Sequence, residues 1–262
     1  EVENKWKICG HVNSPNDIKD WNGVTVNKQR EVIAIDWQGS LQEHAQQLIG
    51  TVALQWLPPT VTQINMSINR LVGTLDASAL PQTLTELQLS SNRFSGEIDF
   101  AEFPQRLLIL YLGNNQYSGS IRLESLPLPI QEVHLASNNF TGSVCLSSLP
   151  QSLRELWLSN NQLSGEVDLT SLPNSLQQLF LANNAFVGTI DVTSLPESLT
   201  DLYVNQNSFT GLTDWRYLPK SLRLLDVSGT DLSGVIYVHG GGWGGNLRVT
   251  NDRSSVKLIS LV

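Results

Sequence analysis

One dipeptide sets the frame of this chain. Leu-Pro, once replaced by Phe-Pro, begins at Leu57, Leu80, Phe103, Leu126, Leu149, Leu172, Leu195 and Leu218, each 23 residues after the last. An Asn follows in fixed register at Asn69, Asn92, Asn115, Asn138, Asn161, Asn184 and Asn207, with Thr230 at the eighth position. A Gly follows at Gly73, Gly96, Gly119, Gly142, Gly165, Gly188, Gly211 and Gly234. A constant period of this length leaves little room for independent elements. It predicts a solenoid, in which one small unit is stacked on copies of itself.

The residues of a unit say how it folds. Leu176, Leu179, Leu181, Asn184, Phe186, Gly188 and Ile190 mark one repeat. In Leu-x-Leu the two Leu side chains point to one face of a short strand and the middle residue to the other. Stacked units then form a parallel sheet with the Leu face inward. The Asn can bond backbone groups where the chain turns inward, and a ladder of them can satisfy neighbouring amides. The Gly permits a tight turn. The Pro fixes φ on the opposite side and disfavours a long helix there.

This pattern resembles the leucine-rich repeat, whose core is L-x-x-L-x-L-x-x-N-x-L, from residue 57 to about 236. The following S-G-x-I element is closest to the plant-type subclass. The Leu-Pro-x-Ser-Leu segment is similar to repeats of kinetoplastid and other protist proteins. The resemblance implies an α/β-type solenoid with a parallel sheet on its concave face, a mostly extended or 3₁₀ convex side, and a cap at each end. It also implies a role as a receptor ectodomain, an adhesion protein or a scaffold.

Residues 1–56 are expected to form an N-terminal cap with a first degenerate repeat, 57–236 the eight repeats, and 237–262 a C-terminal β cap. Asp20-Trp21-Asn22-Gly23-Val24 resembles the W-x-G-V stretch of the plant-type cap. The Cys residues that flank that motif in the family are replaced by Lys19 and Val26, so its disulfide is absent. Short alternating runs at 235–238, 247–250 and 256–261 predict the C-terminal strands. Between them Gly240 to Gly245 carries one Trp and five Gly. Without a following Lys-Ser/Thr and helix this reads as a turn rather than a phosphate cradle.

The net charge of −8 and pI near 4.9 disfavour nucleic acid and anionic membrane as partners. No apolar run approaches a membrane span. Cys9 and Cys145 fall in distant parts of the predicted stack, so two free thiols are expected, which leans towards a reducing compartment. The sequons Asn65-Met66-Ser67 and Asn139-Phe140-Thr141 lean towards secretion, and localisation stays open. The chain opens at Glu1 rather than Met, as expected of a processed form or a piece of a longer chain.

Function should sit where the repeats vary. The residue between the two Leu of each strand faces outward, and down the stack that column reads Asn65, Gln88, Tyr111, His134, Trp157, Phe180, Tyr203, Asp226. Five consecutive ring-bearing residues form a stripe, and large aromatics anchor binding surfaces. The column two residues earlier supplies Glu132, Glu155 and Asp201, with Arg154 and Arg223 one position further back. On the other side lies a lane of small residues from Ser67 to Ala182, ending at Asn205. This predicts a non-enzymatic module that binds a protein or peptide, a basic one suiting the carboxylates, with a glycan ranked below it. Rings packing on one another across strands is the plainer alternative. A structural subunit of a larger assembly or filament is the rival function.

No cofactor, catalytic group or metal is expected. His11, His44, His134 and His239 lack ligand spacing, and no Ser-His-Asp or Cys-His arrangement stands out. The column Asp76, Asp99, Arg122, Cys145, Asp168, Asp191, Asp214 is interrupted by Arg122 and Cys145. It reads as turn caps rather than a calcium row.

Overall fold

The computed structural model describes residues 2–3, 17–40, 47–239, 247–252 and 254–261. Each repeat contributes two short strands and a turn, so the unit has three sides. The Leu-x-Leu segments, such as Glu132–His134 and Glu155–Trp157, make an eleven-stranded sheet from Val24–Val26 to Arg248–Thr250. Its strands are parallel except for the first pairing, Val24–Val26 against Val32–Asp36. Register follows the period: Glu132, Val133 and His134 lie opposite Glu155, Leu156 and Trp157.

The second side is also a sheet, where the sequence predicts extended backbone. The segments after each Asn, such as Asn139–Gly142 and Gln162–Gly165, pair in parallel within a ten-stranded array from Ile49–Gly50 to Ser255–Leu261. Stacking brings the same extended segment of successive repeats to sheet spacing, about 4.8 Å, where the backbone groups of neighbours bond. The third side carries 3₁₀ turns, for example Ala77–Ala79 and Phe100–Glu102. Among the described residues there is no α-helix, so the helical half of an α/β-type repeat is reduced to these turns. None is long and apolar enough to cross a membrane.

Three polar ladders tie the repeats together. The Oδ1 of Asn138 accepts from the Tyr117 amide of the preceding repeat at 3.0 Å. Its Nδ2 donates to the carbonyls of Leu112 and Leu135, each at 3.1 Å. The same pattern recurs from Asn92 to Asn207. The second ladder runs through the Leu-Pro-x-Ser turn. Ser152 Oγ donates to Leu128 and Ile130 carbonyls, and Ser175 repeats this on Gln151 and Leu153. The third is the Asp column. Asp76, Asp99, Asp168, Asp191 and Asp214 each accept from the amide two residues on, which is the turn-capping role expected of them. Arg122 makes no such cap.

Apolar packing fills the space between the three sides. Leu153, Leu156, Leu158 and Leu163 of one repeat are fully buried. Under the second sheet Phe94, Tyr117 and Phe140 stack with centroids 6.3 and 6.4 Å apart. Tyr117 differs from its neighbours by a hydroxyl, which is buried and has no hydrogen-bond partner among the described residues.

Strands also form near both ends. Trp21 stacks on Trp37 at 6.0 Å, and Trp37 Nε1 donates to the Asn22 carbonyl at 2.9 Å. Gly23 has φ +75°, and a Cβ there would stand 2.0 Å from the Asp36 carbonyl oxygen, so the turn requires glycine. At the other end Asp231–His239 and Ser255–Leu261 pair in parallel, and Arg248–Thr250 extends the long sheet. Cys145 is free and exposed. Cys9, His11, His44 and the run Gly240 to Gly245 lie outside the described residues.

Candidate functional site

The outward residues of the long sheet are placed by backbone register. Tyr111, His134, Trp157, Phe180 and Tyr203 sit opposite one another on consecutive strands. Each is half-buried. The inward Leu or Val on either side of each ring is fixed in the core, so the strand cannot slip without turning the ring to the wrong face.

The rings form a pile rather than a row of separate platforms. Centroids lie 4.0 Å apart between Tyr111 and His134, 3.9 Å between His134 and Trp157, and 5.0 Å between Trp157 and Phe180. The first two pairs are parallel within 3° and 11°. Tyr203 departs from the pile, with its ring turned 68° from that of Phe180 at 4.7 Å. The faces of the middle rings are therefore covered by their neighbours, and what they turn outward is their edges.

The second column is wired to the first along a diagonal. Tyr111 hydroxyl donates to Glu132 Oε2 in the next repeat. His134 Nε2 meets Glu155 Oε2 at 3.0 Å, and Trp157 Nε1 donates to Gln178 Oε1 at 3.2 Å. Each link spans 21 residues, one period less the two positions between columns. Burial pushes the His134 pKa down to about 4, so the ring is neutral near pH 7 and its Nε2–H is the donor to Glu155. Glu155 is pushed up by burial and by the charges of Glu132 and Asp201. Asp201 accepts from Thr200 Oγ1 at 2.5 Å. Arg154 is exposed, and among the described residues no Lys or Arg forms an ion pair with Glu132, Glu155 or Asp201.

Sequence spacing alone assigned no ligand set to any histidine. The fold nevertheless brings Glu132, His134 and Glu155 together, their ligand atoms within 4.8 Å of one another. The sequence reading also missed Gln178, which belongs to the site as the partner of Trp157. The offset of 21 residues between a ring and its partner was the signal that could have found both.

The sequence model for leucine-rich repeats in two copies matches residues 151–197, and a single leucine-rich repeat matches residues 81–98. No curated protein sequence matches the chain. Among solved structures, the Arabidopsis receptor kinase HAESA, in complex with the peptide hormone IDA and the co-receptor SERK1, is 30% identical with a TM-score of 0.59. The match covers 71% of this chain and 33% of HAESA, so the chain spans about a third of that structure. PEPR1 with AtPEP1 is 22% identical over 98% of this chain and 39% of its own, with a TM-score of 0.68. A plant ice-binding protein is 21% identical over 94% of this chain and 90% of its own, with a TM-score of 0.63. At 22% and 21% identity these last two speak to the fold alone.

Proposed function

We propose that this leucine-rich-repeat solenoid, with its plant-type S-G-x-I repeats, is a non-enzymatic recognition module. On this reading the outward face of the long sheet, its concave side, receives a peptide or protein segment along the rings from Tyr111 to Tyr203. The observation that carries the proposal is the unbroken run of five half-buried rings, flanked by carboxylates that pair with no Lys or Arg among the described residues. A contiguous apolar stripe on an outward face is the usual mark of an interaction site. HAESA, a structure with related repeats, is seen with a peptide hormone. A preformed sheet loses little conformational freedom on binding, so rigid presentation is the mechanism.

Ring orientation refines the ligand. Cation–π contact and sugar stacking need an open ring face. The pile from Tyr111 to Phe180 offers edges, which carry the positive side of the ring quadrupole and suit carbonyl groups of an extended backbone. Tyr203 is turned 68° from the ring of Phe180, and it stands two residues after Asp201 and opposite Asp226. A Lys or Arg of the partner fits there, which favours a basic peptide over a glycan.

Affinity capture from the native source, comparing the wild type with the double variant Trp157→Ala, Tyr203→Ala, tests the reading. Far-UV circular dichroism and the melting temperature verify that the variant is folded. A partner recovered only by the wild type supports recognition by this face. Equal recovery overturns it. Light scattering after size exclusion addresses the rival reading: a stable monomer disfavours a self-assembling scaffold.

A further inference from the structure

We propose that Glu132, His134 and Glu155 form a binding site for a divalent transition-metal ion, with Zn²⁺ the best-matched common ion. The three ligand atoms, one imidazole nitrogen and two carboxylate oxygens, lie within 4.8 Å of one another on two adjacent strands. Zinc bonds to such atoms at about 2.0–2.2 Å, which sets tetrahedral ligand pairs about 3.4 Å apart. His134 and Glu155 already stand at 3.0 Å, and the flexible Glu132 side chain needs to close by little more than one ångström.

Preorganisation singles this cluster out from an ordinary acidic patch. The imidazole is clamped between Tyr111 and Trp157 at 4.0 and 3.9 Å, so its orientation is fixed before any ion arrives. Its Nε2, rather than a ring face, is the atom turned towards the carboxylates. A neutral imidazole with its proton on Nδ1 offers the Nε2 lone pair to an ion. Glu132 and Glu155 are opposite each other in register, two like charges on a half-buried surface. Directly opposed like charges destabilise a sheet. A bound dication reverses that cost. Three protein ligands leave a fourth position open, as in zinc sites that also take water or a group from outside.

The site stands independently of the partner reading, because its test uses the chain and the ion alone. Isothermal titration of the full chain with ZnCl₂ at pH 7 should give one site. His134→Ala should abolish it, and Glu155→Gln should weaken it at least tenfold. His134→Gln guards against a packing effect: its amide can still donate to Glu155, yet it supplies no imidazole, so it should remain folded and lose the ion. Tyr111→Phe frees Glu132 from its phenol partner and should bind at least as tightly as the wild type. Absence of a 1:1 heat in the wild type overturns the proposal. So does an affinity unchanged in His134→Gln, which would place the ion elsewhere in the chain.

Discussion

Replacing Asn138 by Ala tests the account of what joins one repeat to the next. The amide group of Asn138 holds three backbone groups at 3.0–3.1 Å, the Tyr117 N–H and the carbonyls of Leu112 and Leu135, and reaches a fourth, the Ala136 carbonyl, at 3.4 Å, which keeps the Asn114 N–H at 2.8 Å without it. The consequences for the three differ. The Leu112 carbonyl keeps the Asn115 amide at 3.1 Å, and the Leu135 carbonyl keeps that of Asn161 at 3.1 Å. Each ladder carbonyl is thus shared by two successive Asn residues and survives the loss of one. The Tyr117 N–H, in a fully buried residue, is left without its acceptor. An orphaned buried donor costs about 1–3 kcal/mol, and two weakened acceptors bring the expected loss to about 3 kcal/mol. Urea unfolding, followed by tryptophan fluorescence and far-UV circular dichroism, reads this as a lower midpoint. Asn139→Ala is the control: that side chain is exposed on the adjacent position, and the change should stay within about 0.5 kcal/mol. Asn138→Thr should fall between, because Thr230 shows how far a hydroxyl reaches in this position. It donates to Val227 within its own repeat at 2.7 Å. A loss below about 1 kcal/mol for Asn138→Ala, or one equal to the control, refutes the ladder as the tie between repeats.

Three further substitutions probe the same physics. Tyr117→Phe removes a buried hydroxyl that has no partner among the described residues and matches the Phe94 and Phe140 that flank it, so the unfolding free energy read from urea titration should rise by about 1 kcal/mol; a loss would mean the hydroxyl is satisfied. Ile68 holds φ +61° where the equivalent residues Asn114, Asn160 and Asn183 hold +55°, +57° and +54°. A β-branched side chain is strained there, so Ile68→Asn should raise Tm, by an amount worth about 1 kcal/mol. Asp168 and Asp191 are held below the usual carboxylate range by hydrogen bonds from Thr170 and Thr193. Their contribution is complete above the unfolded value near 3.9 and is lost as pH falls through the lower folded value. The melting temperature should therefore drop more steeply below about pH 4 in the wild type than in the Asp168→Asn, Asp191→Asn variant, and parallel acid slopes would refute the capping role.

The parts of this molecule that repeat were legible, and the parts that depend on rotamers were not. Leu-x-Leu, Asn and Gly at fixed offsets specify inward strands, a carbonyl ladder and a turn, because each is a backbone-level demand that recurs at the same position. The second sheet was harder to read. Asn139-Phe140-Thr141-Gly142 carries a single buried side chain, and its pairing comes from stacking rather than from a strand-like alternation. The stripe was readable as a column, since register alone puts Tyr111 beside His134 and His134 beside Trp157. Whether rings lie flat or on edge depends on χ angles that spacing does not encode. By sequence alone the carboxylates are free partners for a cationic ligand. The structure instead commits one oxygen of Glu132 to Tyr111 and one of Glu155 to His134.

The fold itself makes no demand for aromatic residues in that column. Asn65, Gln88 and Asp226 occupy the same outward position, in the same parallel pairing, at the two ends of the stack. Their strands carry a buried aliphatic residue, Ile64, Leu87 or Leu225, just as the strands that bear rings do. Polar side chains therefore satisfy the position wherever packing alone decides it. Aromatic pairs across strands contribute stability, but only a few tenths to one kcal/mol each. Such a gain was equally open to the terminal strands, which do without it. The confinement of the rings to five consecutive strands, together with the carboxylates on their flank, thus points away from a general packing device and towards a patch with one location and one length. That is the geometry the proposed peptide reading calls for, and it sets the five strands from Ile109–Tyr111 to Asp201–Tyr203 as the stretch on which binding experiments should concentrate.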